Sequence, residues 1–324
     1  QGVLAWVSEA ARGALLDLAA GWLRPGGAFT VGYNSFPGWA EIQGFQRLVA
    51  ALAQAEAGSS VDRFEKALEN AREAGLFPSS VWEWLDPLLE RLPPAYFAHE
   101  YLNGHWQPCW SADVIAALDE RGLDFVGQAS PGRMREDLGY RPEWREALAK
   151  MPTAPARELA ADLQSWTWYR QDIYLKRPFE PIGDAEAQAR ALERWWLLAE
   201  PADQIEFRAS TPAGVIEFDN AASHAIVAAI TEGPHPLSAI DGFAPADLIN
   251  SIDALYAAKL VLPVDPPAHN EAETFNRVLS EQGLASGGAA TRHGALPIDP
   301  ATLAQLGEAD LRRLGLNETR MVES

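Results

Sequence analysis

The feature that most constrains this chain is a change of period at Arg24-Pro25-Gly26-Gly27. Before it, from Ala10 to Trp22, apolar residues fall at Leu15, Leu16, Leu18, Ala19 and Trp22, which is helical spacing. Proline cannot continue a helix, and glycine supplies the turn. After it, Ala28-Phe29-Thr30-Val31-Gly32-Tyr33 is rich in strand formers, and Asn34-Ser35-Phe36-Pro37-Gly38 follows as a loop. Helix, tight turn, strand and loop make half of a βαβ unit, which directs the front of the chain to an α/β architecture.

The pattern continues in that sense. Trp39 to about Arg91 reads as helical, broken at Gly58-Ser59-Ser60 and Pro78-Ser79-Ser80, with Ser60 and Ser80 as candidate caps. Ala95 to Leu102 reads as a strand, Ser111 to Arg121 as a helix with Ser111 as N-cap and Gly122 at its end, and Leu123 to Gln128 as a strand. From Pro131 to Pro201 the reading is mostly helical, with Trp144, Trp166, Trp168, Trp195 and Trp196 taken as core. Short strands are expected at Gln204–Ala209, Gly214–Phe218 and Leu260–Val264, with helices at Ala222–Ile230 and Pro245–Ala258. That combination is winged-helix-like.

Composition removes several function classes. One cysteine excludes an intramolecular disulfide framework and a multi-cysteine zinc site. Six scattered histidines show no metal-binding spacing. Twenty-six basic against 45 acidic residues give a net charge of −19, which disfavours a polyanionic nucleic-acid partner. The helix at Pro245–Ala258 carries no Arg or Lys to meet phosphates, so winged-helix DNA binding is the weakest reading. No apolar run reaches the length of a membrane span and no signal peptide is visible, so a cytoplasmic location is expected.

There is no GxxxxGK[ST], GxGxxG or GxSxG motif. Cys109 with His105 nearby reads better as a small buried thiol than as a catalytic pair. Two stretches are denser in polar and aromatic groups than a plain loop needs. In the first, Tyr33, Asn34 and Trp39 follow a strand, where α/β sheets bind ligands; turn geometry alone explains them equally well. In the second, His99-Glu100-Tyr101-Leu102-Asn103, the strand reading puts His99 and Glu100 on opposite faces, each a candidate proton acceptor or a buried polar group tied to its neighbours.

Four segments in order carry a resemblance: Gly2-Val3-Leu4-Ala5-Trp6-Val7-Ser8, Leu23-Arg24-Pro25-Gly26-Gly27, Tyr33-Asn34-Ser35-Phe36-Pro37-Gly38-Trp39 and His99-Glu100-Tyr101-Leu102. They resemble the second half of a class I S-adenosylmethionine-dependent methyltransferase. More narrowly, they are similar to the subgroup with a methyltransferase regulatory domain, which includes bacterial protein-lysine methyltransferases. Arg157 to Arg177 looks like the family's charged helix after the sheet. The family's histidine, Tyr-Ser and serine are replaced here by Gln1, Leu4-Ala5 and Gly32.

The resemblance implies an α/β fold: a partial Rossmann-like sheet of Ala28–Tyr33, Ala95–Leu102 and Leu123–Gln128 with a helical insertion, then a helical region and a winged-helix-like domain. The expected organisation is a methyltransferase part over 1–130, with the insertion at 40–94 and a regulatory domain from about 45 to 130. A helical linker at 131–203, a winged-helix-like domain at 204–266 and a polar tail at 267–324 follow. The implied reaction is methyl transfer from S-adenosylmethionine to a nucleophilic N or O, for instance a protein lysine. Tyr33, Asn34, His99 and Glu100 are the candidate catalytic residues. Trp39, Tyr101 and Asn103 would touch the acceptor, and Gln1 and Gly2 would lie nearest the donor. The donor's glycine loop is absent from this sequence, and a start at Gln1 fits a fragment, so weak donor binding by the chain alone is expected. A non-catalytic interaction module or homodimer is the alternative.

Overall fold

The computed structural model describes residues 2–133 and 135–266, together with two short paired strands at 289–291 and 294–296. Gln1 and the rest of the expected polar tail lie outside the described residues. The chain divides into two compact units, Gln1–Ser130 with Glu143–Glu180, and Pro131–Pro142 with Pro181–Ser324. The region expected to form one helical linker at 131–203 is shared between them.

The first unit begins as the sequence predicts. Helix α1 (Glu9–Trp22) starts at Ser8, whose side chain accepts the Ala11 N–H and so satisfies one free end of the helix. The following turn needs a left-handed residue, and Gly26 supplies it at φ +74°. Strand β1 (Ala28–Asn34) then leads into an all-helical insertion, α2 (Gln43–Gln54), α3 (Ser60–Glu73) and α4 (Ser79–Arg91). The caps differ from expectation by one or two positions. Ser59, not Ser60, starts α3, because its hydroxyl accepts the Asp62 N–H while Asp62 accepts the Ser59 N–H. Pro78 occupies the cap position of α4 in place of Ser80.

The segment expected as a strand at Ala95–Leu102 is a helix, α5 (Pro94–Tyr101). Pro94 sits at its first turn, where a missing N–H costs nothing and the fixed φ favours the helix. Phe97 and Tyr101, four apart, turn inward together, joined by Ala98 and Glu100. Their ring contacts with Phe45 and Phe64 close the insertion's own core, which also holds Val49, Leu68 and Leu85.

Helix α6 (Ser111–Asp119) and strand β2 (Leu123–Gln128) follow as predicted, except that Trp110 is the N-cap and Ser111 the first helical residue. After α7 (Glu136–Gly139), which belongs to the second unit, come α8 (Pro142–Ala149), α9 (Ala154–Ser165) and β3 (Tyr169–Lys176). Thus Arg157–Arg177 is half helix and half strand rather than one charged helix. The sheet order is β1-β3-β2, with β3 antiparallel to both neighbours, so β1 and β2 run parallel to each other on either side of it. The third strand is therefore Tyr169–Lys176, not Ala95–Leu102. It escapes a hydrophobic pattern search because two of its inward residues, Arg170 and Asp172, are charged. The core between the sheet, α1 and α6 holds Leu16, Val31, Val114, Leu118, Leu123 and Tyr174.

The second unit contains α10 (Asp184–Leu192), β4 (Trp195–Leu198), the hairpin β5 (Arg208–Thr211) and β6 (Gly214–Glu217), α11 (Ala221–Ile230), β7 (His235–Pro236), α12 (Pro245–Ala257) and β8 (Val261–Val264). A three-stranded antiparallel sheet runs β7-β4-β8. Both expected helices and the last strand are present. The strand expected from Gln204 starts at Arg208, since Ala202–Gln204 is a 3₁₀ turn. The tryptophans do not form one helical stripe. Trp196 is core on β4, Trp168 packs against Trp39 and Trp84, and Trp166 is an exposed left-handed cap of α9. Among the described residues no helix is long and apolar enough to cross a membrane.

Candidate functional site

Successive strand residues point to opposite faces, and this separates Tyr33 from Asn34 at the end of β1. Asn34 reaches α5, where its Nδ2 donates to Glu100 Oε1 at 3.2 Å. Glu100 is 4% exposed. Burial pushes its carboxyl up from the usual 4.5 to about 7, against the pull of Trp106, Asn34 and Tyr96, which all favour the charged form. The Trp106 indole N–H faces the carboxylate without closing a regular hydrogen bond. Tyr96 stands one helical turn before Glu100 with its hydroxyl facing the carboxyl, and the residue is 44% exposed. It links the buried carboxyl to the surface.

The segment 106–110 is held beside the end of β1 by backbone bonds. Cys109 N–H donates to the Asn34 carbonyl at 2.9 Å, and Phe36 N–H donates to the Cys109 carbonyl at 3.0 Å. Cys109 itself is a buried thiol, its pKa raised by burial, and His105 is exposed.

The other expected residues fall around this centre in different roles. His99 is exposed on α5 and packs its ring against Trp6 at 5.3 Å. Asn103 Nδ2 donates to the Trp6 carbonyl at 3.3 Å, and its Oδ1 accepts the His105 N–H. Both therefore hold the segment around Trp6. The Trp39 indole N–H donates to the Trp168 carbonyl at 2.7 Å, and its ring meets Trp106 edge-on. Tyr101 is buried in the insertion's core, with burial raising its hydroxyl pKa. Gly2 lies against β1, its N–H donating to the Gly32 carbonyl at 2.9 Å. Gly32 is covered by a ring, since a Cβ there would lie 2.1 Å from Tyr169 Oη.

Tyr33 belongs to a separate buried network. Its hydroxyl donates to Asp172 Oδ2 at 2.5 Å. Arg170, fully buried, also bonds Asp172 and reaches Asp162 and Glu158 at 2.9 Å each. Ser111 donates to Asp162, Gln128 to Glu158 and Tyr174 to Asp172. One guanidinium thus serves three carboxylates, a formal charge of 1 − 3 = −2. Burial alone lowers the Arg170 pKa, but its charged neighbours, Asp172 foremost, raise it overall. Burial pushes Asp172 upward against the pull of Arg170. The network ties β1, α6, β2, α9 and β3 together.

Sequence reasoning missed Tyr96, Trp106 and the Arg170 network. The first had a signal, the spacing of four from Tyr96 to Glu100, which the strand reading concealed. The network had one too, the alternation Arg170-x-Asp172-x-Tyr174, visible only to a search for polar as well as apolar periodicity.

Fold and sequence both resemble those of methyltransferase-related proteins. Residues 93–176, which carry α5, α6, the sheet's β2 and β3, Glu100 and Arg170, match a family described as predicted methyltransferase regulatory domain. More particularly, the fold is similar to PKMT2 from Rickettsia typhi, with a TM-score of 0.60, 15% identity, and coverage of 92% of this chain and 66% of that one. The same protein in complex with AdoHcy gives 0.61 at 14% identity and the same coverage. The chain is also 24% identical over 269 residues to the uncharacterised protein sll1526 of Synechocystis, covering 81% of this chain and 52% of that protein. The chain thus spans about half the length of the curated relative it matches.

Proposed function

We propose that this chain is part of an S-adenosylmethionine-dependent methyltransferase that modifies a nucleophilic nitrogen or oxygen, with a protein lysine as the favoured acceptor. The observation that supports this most is the fold likeness over 92% of the chain to PKMT2, a protein whose structure is also known in complex with AdoHcy. S-adenosylmethionine, when bound, supplies an electrophilic methyl group on a sulfonium. A lysine attacks only as the neutral amine, so a proton must be removed. Glu100 is the proton acceptor in this reading, because its carboxyl titrates at about 7, close to neutral pH. Asn34 is its positioning partner, and Tyr96 carries the proton between the carboxylate and the surface. Trp6, His99 and Asn103 fix the segment beside Gly2.

The described residues contain no glycine-rich turn after a strand that would cradle the donor. We therefore place the donor's main contacts outside residues 2–266, consistent with the chain spanning 66% of its structural neighbours. The second unit is a winged-helix-like accessory module in this reading, and the protein works in the cytoplasm. Calorimetry on this chain and on the protein extended to the length of its relatives, with labelled-methyl transfer to a lysine peptide, tests the proposal. Donor binding and transfer by the extended form alone are expected. Failure of the extended form in both assays overturns the methyltransferase reading, and micromolar donor binding by the present chain overturns the division of labour.

A second reading, an interaction or dimerisation module, draws on α1. Leu15, Leu18 and Trp22 share one face of this helix, and Leu18 is 52% and Trp22 85% exposed. Light scattering of the extended protein and its Trp22→Ser variant separates the two: concentration-dependent association that Trp22 controls, without methyl transfer, favours this reading.

A further inference from the structure

Two adjoining recesses, each of about 370 Å³, lie between α2 and the segment 102–107, and they share Gln46, Arg47, Gly104 and Trp106. The second is also lined by Arg63 of α3. No acidic residue lines it, although acidic residues outnumber basic ones 45 to 26 in the chain. Elsewhere the same excess of carboxylates pairs arginines readily, as in Arg121 with Asp17 or Arg190 with Glu186. Arg47 and Arg63 have no ion pair and no side-chain hydrogen bond among the described residues. The Arg63 Nε is buried and without an acceptor. A buried N–H with no acceptor is uncommon in a folded protein and points to a missing partner.

We propose that this recess binds a small oxyanion, a phosphate- or carboxylate-bearing molecule, through the guanidinium groups of Arg47 and Arg63. A guanidinium presents its N–H groups as a planar fork that matches two oxygens of a carboxylate or phosphate, which an isolated ammonium cannot do. The recess is of a size that small ligands occupy. Its walls suit an anion. Ala50, Ala51 and Ala53 leave room beside Arg47, and Gln46 is held in place because its Nε2 donates to the Tyr101 carbonyl at 2.9 Å. Trp106 lines the recess while facing Glu100, so an occupied recess abuts the candidate proton acceptor without using it.

The test uses the present chain at low ionic strength with two probes, inorganic phosphate and malonate, followed by calorimetry. Saturable binding of either probe is expected, with the stronger of the two naming the source of the oxyanion. The double variant Arg47→Gln, Arg63→Gln should weaken it at least about tenfold, as expected for lost charge-assisted hydrogen bonds, while Arg24→Gln, at an exposed turn, leaves it unchanged. A readout independent of variant folding is phenylglyoxal labelling of the wild-type chain. Saturating anion should slow labelling of Arg47 and Arg63 but not of Arg24. Absence of saturable binding of both anions, equal affinity in the double variant, or equal labelling of Arg47 and Arg63 with and without anion overturns the proposal.

Discussion

Glu100→Gln removes a titrating group while keeping its size and an amide-compatible contact to Asn34. In the folded chain, burial raises the Glu100 carboxyl from the usual 4.5 to about 7. The folded state therefore holds this proton more tightly than the unfolded state does. Its contribution to stability is complete below pH 4.5 and is lost as pH rises through 7. The interval is 7 − 4.5 = 2.5 units, and at 1.36 kcal/mol per unit it amounts to about 3 kcal/mol. Glutamine cannot ionise, so the variant escapes that loss. Relative to wild type, Glu100→Gln should gain about 3 kcal/mol between pH 4.5 and pH 8, although it removes the ionisable group of the candidate site. Urea unfolding at several pH values, followed by tryptophan fluorescence, measures the difference. A carboxyl-carbon NMR titration of Glu100 gives its midpoint directly. Stability profiles that stay parallel within about 0.5 kcal/mol across this range, or a Glu100 midpoint in the ordinary carboxylate range, would refute the reasoning.

Two further perturbations address the opposite face of β1. Arg170→Met leaves Asp162, Asp172 and Glu158 buried without their shared cation, and should destabilise the first unit by about 3–5 kcal/mol in urea unfolding. Because burial already pushes the Asp172 carboxyl upward and the opposing pull of Arg170 is then gone, the loss should be smaller at pH 5 than at pH 8; a loss independent of pH contradicts the network as described. Tyr33→Phe removes the hydroxyl that donates to Asp172 and should cost about 1.5–3 kcal/mol by the same assay, less than Arg170→Met.

The elements most readable from sequence were those with punctuation and an apolar face. Helix α1 and strand β1 were separated by Pro25-Gly26-Gly27, and α11, α12 and β8 had regular apolar patterns. The failures share a cause: polar residues placed where apolar ones are the usual guide. Strand β3 turns Arg170 and Asp172 inward, so its alternation is polar and merges with the helical pattern before it. Helix α5 buries Glu100 beside Phe97 and Tyr101, and its eight residues are too few for periodicity to separate helix from strand. Both misreadings fall within 93–176, the segment that matches the regulatory-domain family. The sequence marks Glu100 and Asn34 as candidates, but their mutual hydrogen bond depends on α5 being a helix.

The two buried polar systems of the first unit meet at a single peptide of β1. Tyr33 bonds Asp172 in the Arg170 network, and Asn34, one residue on, bonds Glu100. Side chains alternate along a strand, so neither contact can slide without disturbing the other: a shift of one residue would exchange their faces. The antiparallel pairing of β1 with β3 fixes that register from Ala28 opposite Leu175 to Asn34 opposite Tyr169. The register of β1 thus sets the two contacts side by side, with no direct contact between the Arg170 network and Glu100 among the described residues. Tyr33→Phe leaves the backbone pairing of β1 with β3 in place, so it should leave the Glu100 titration where it is; a moved midpoint would contradict the independence of the two contacts.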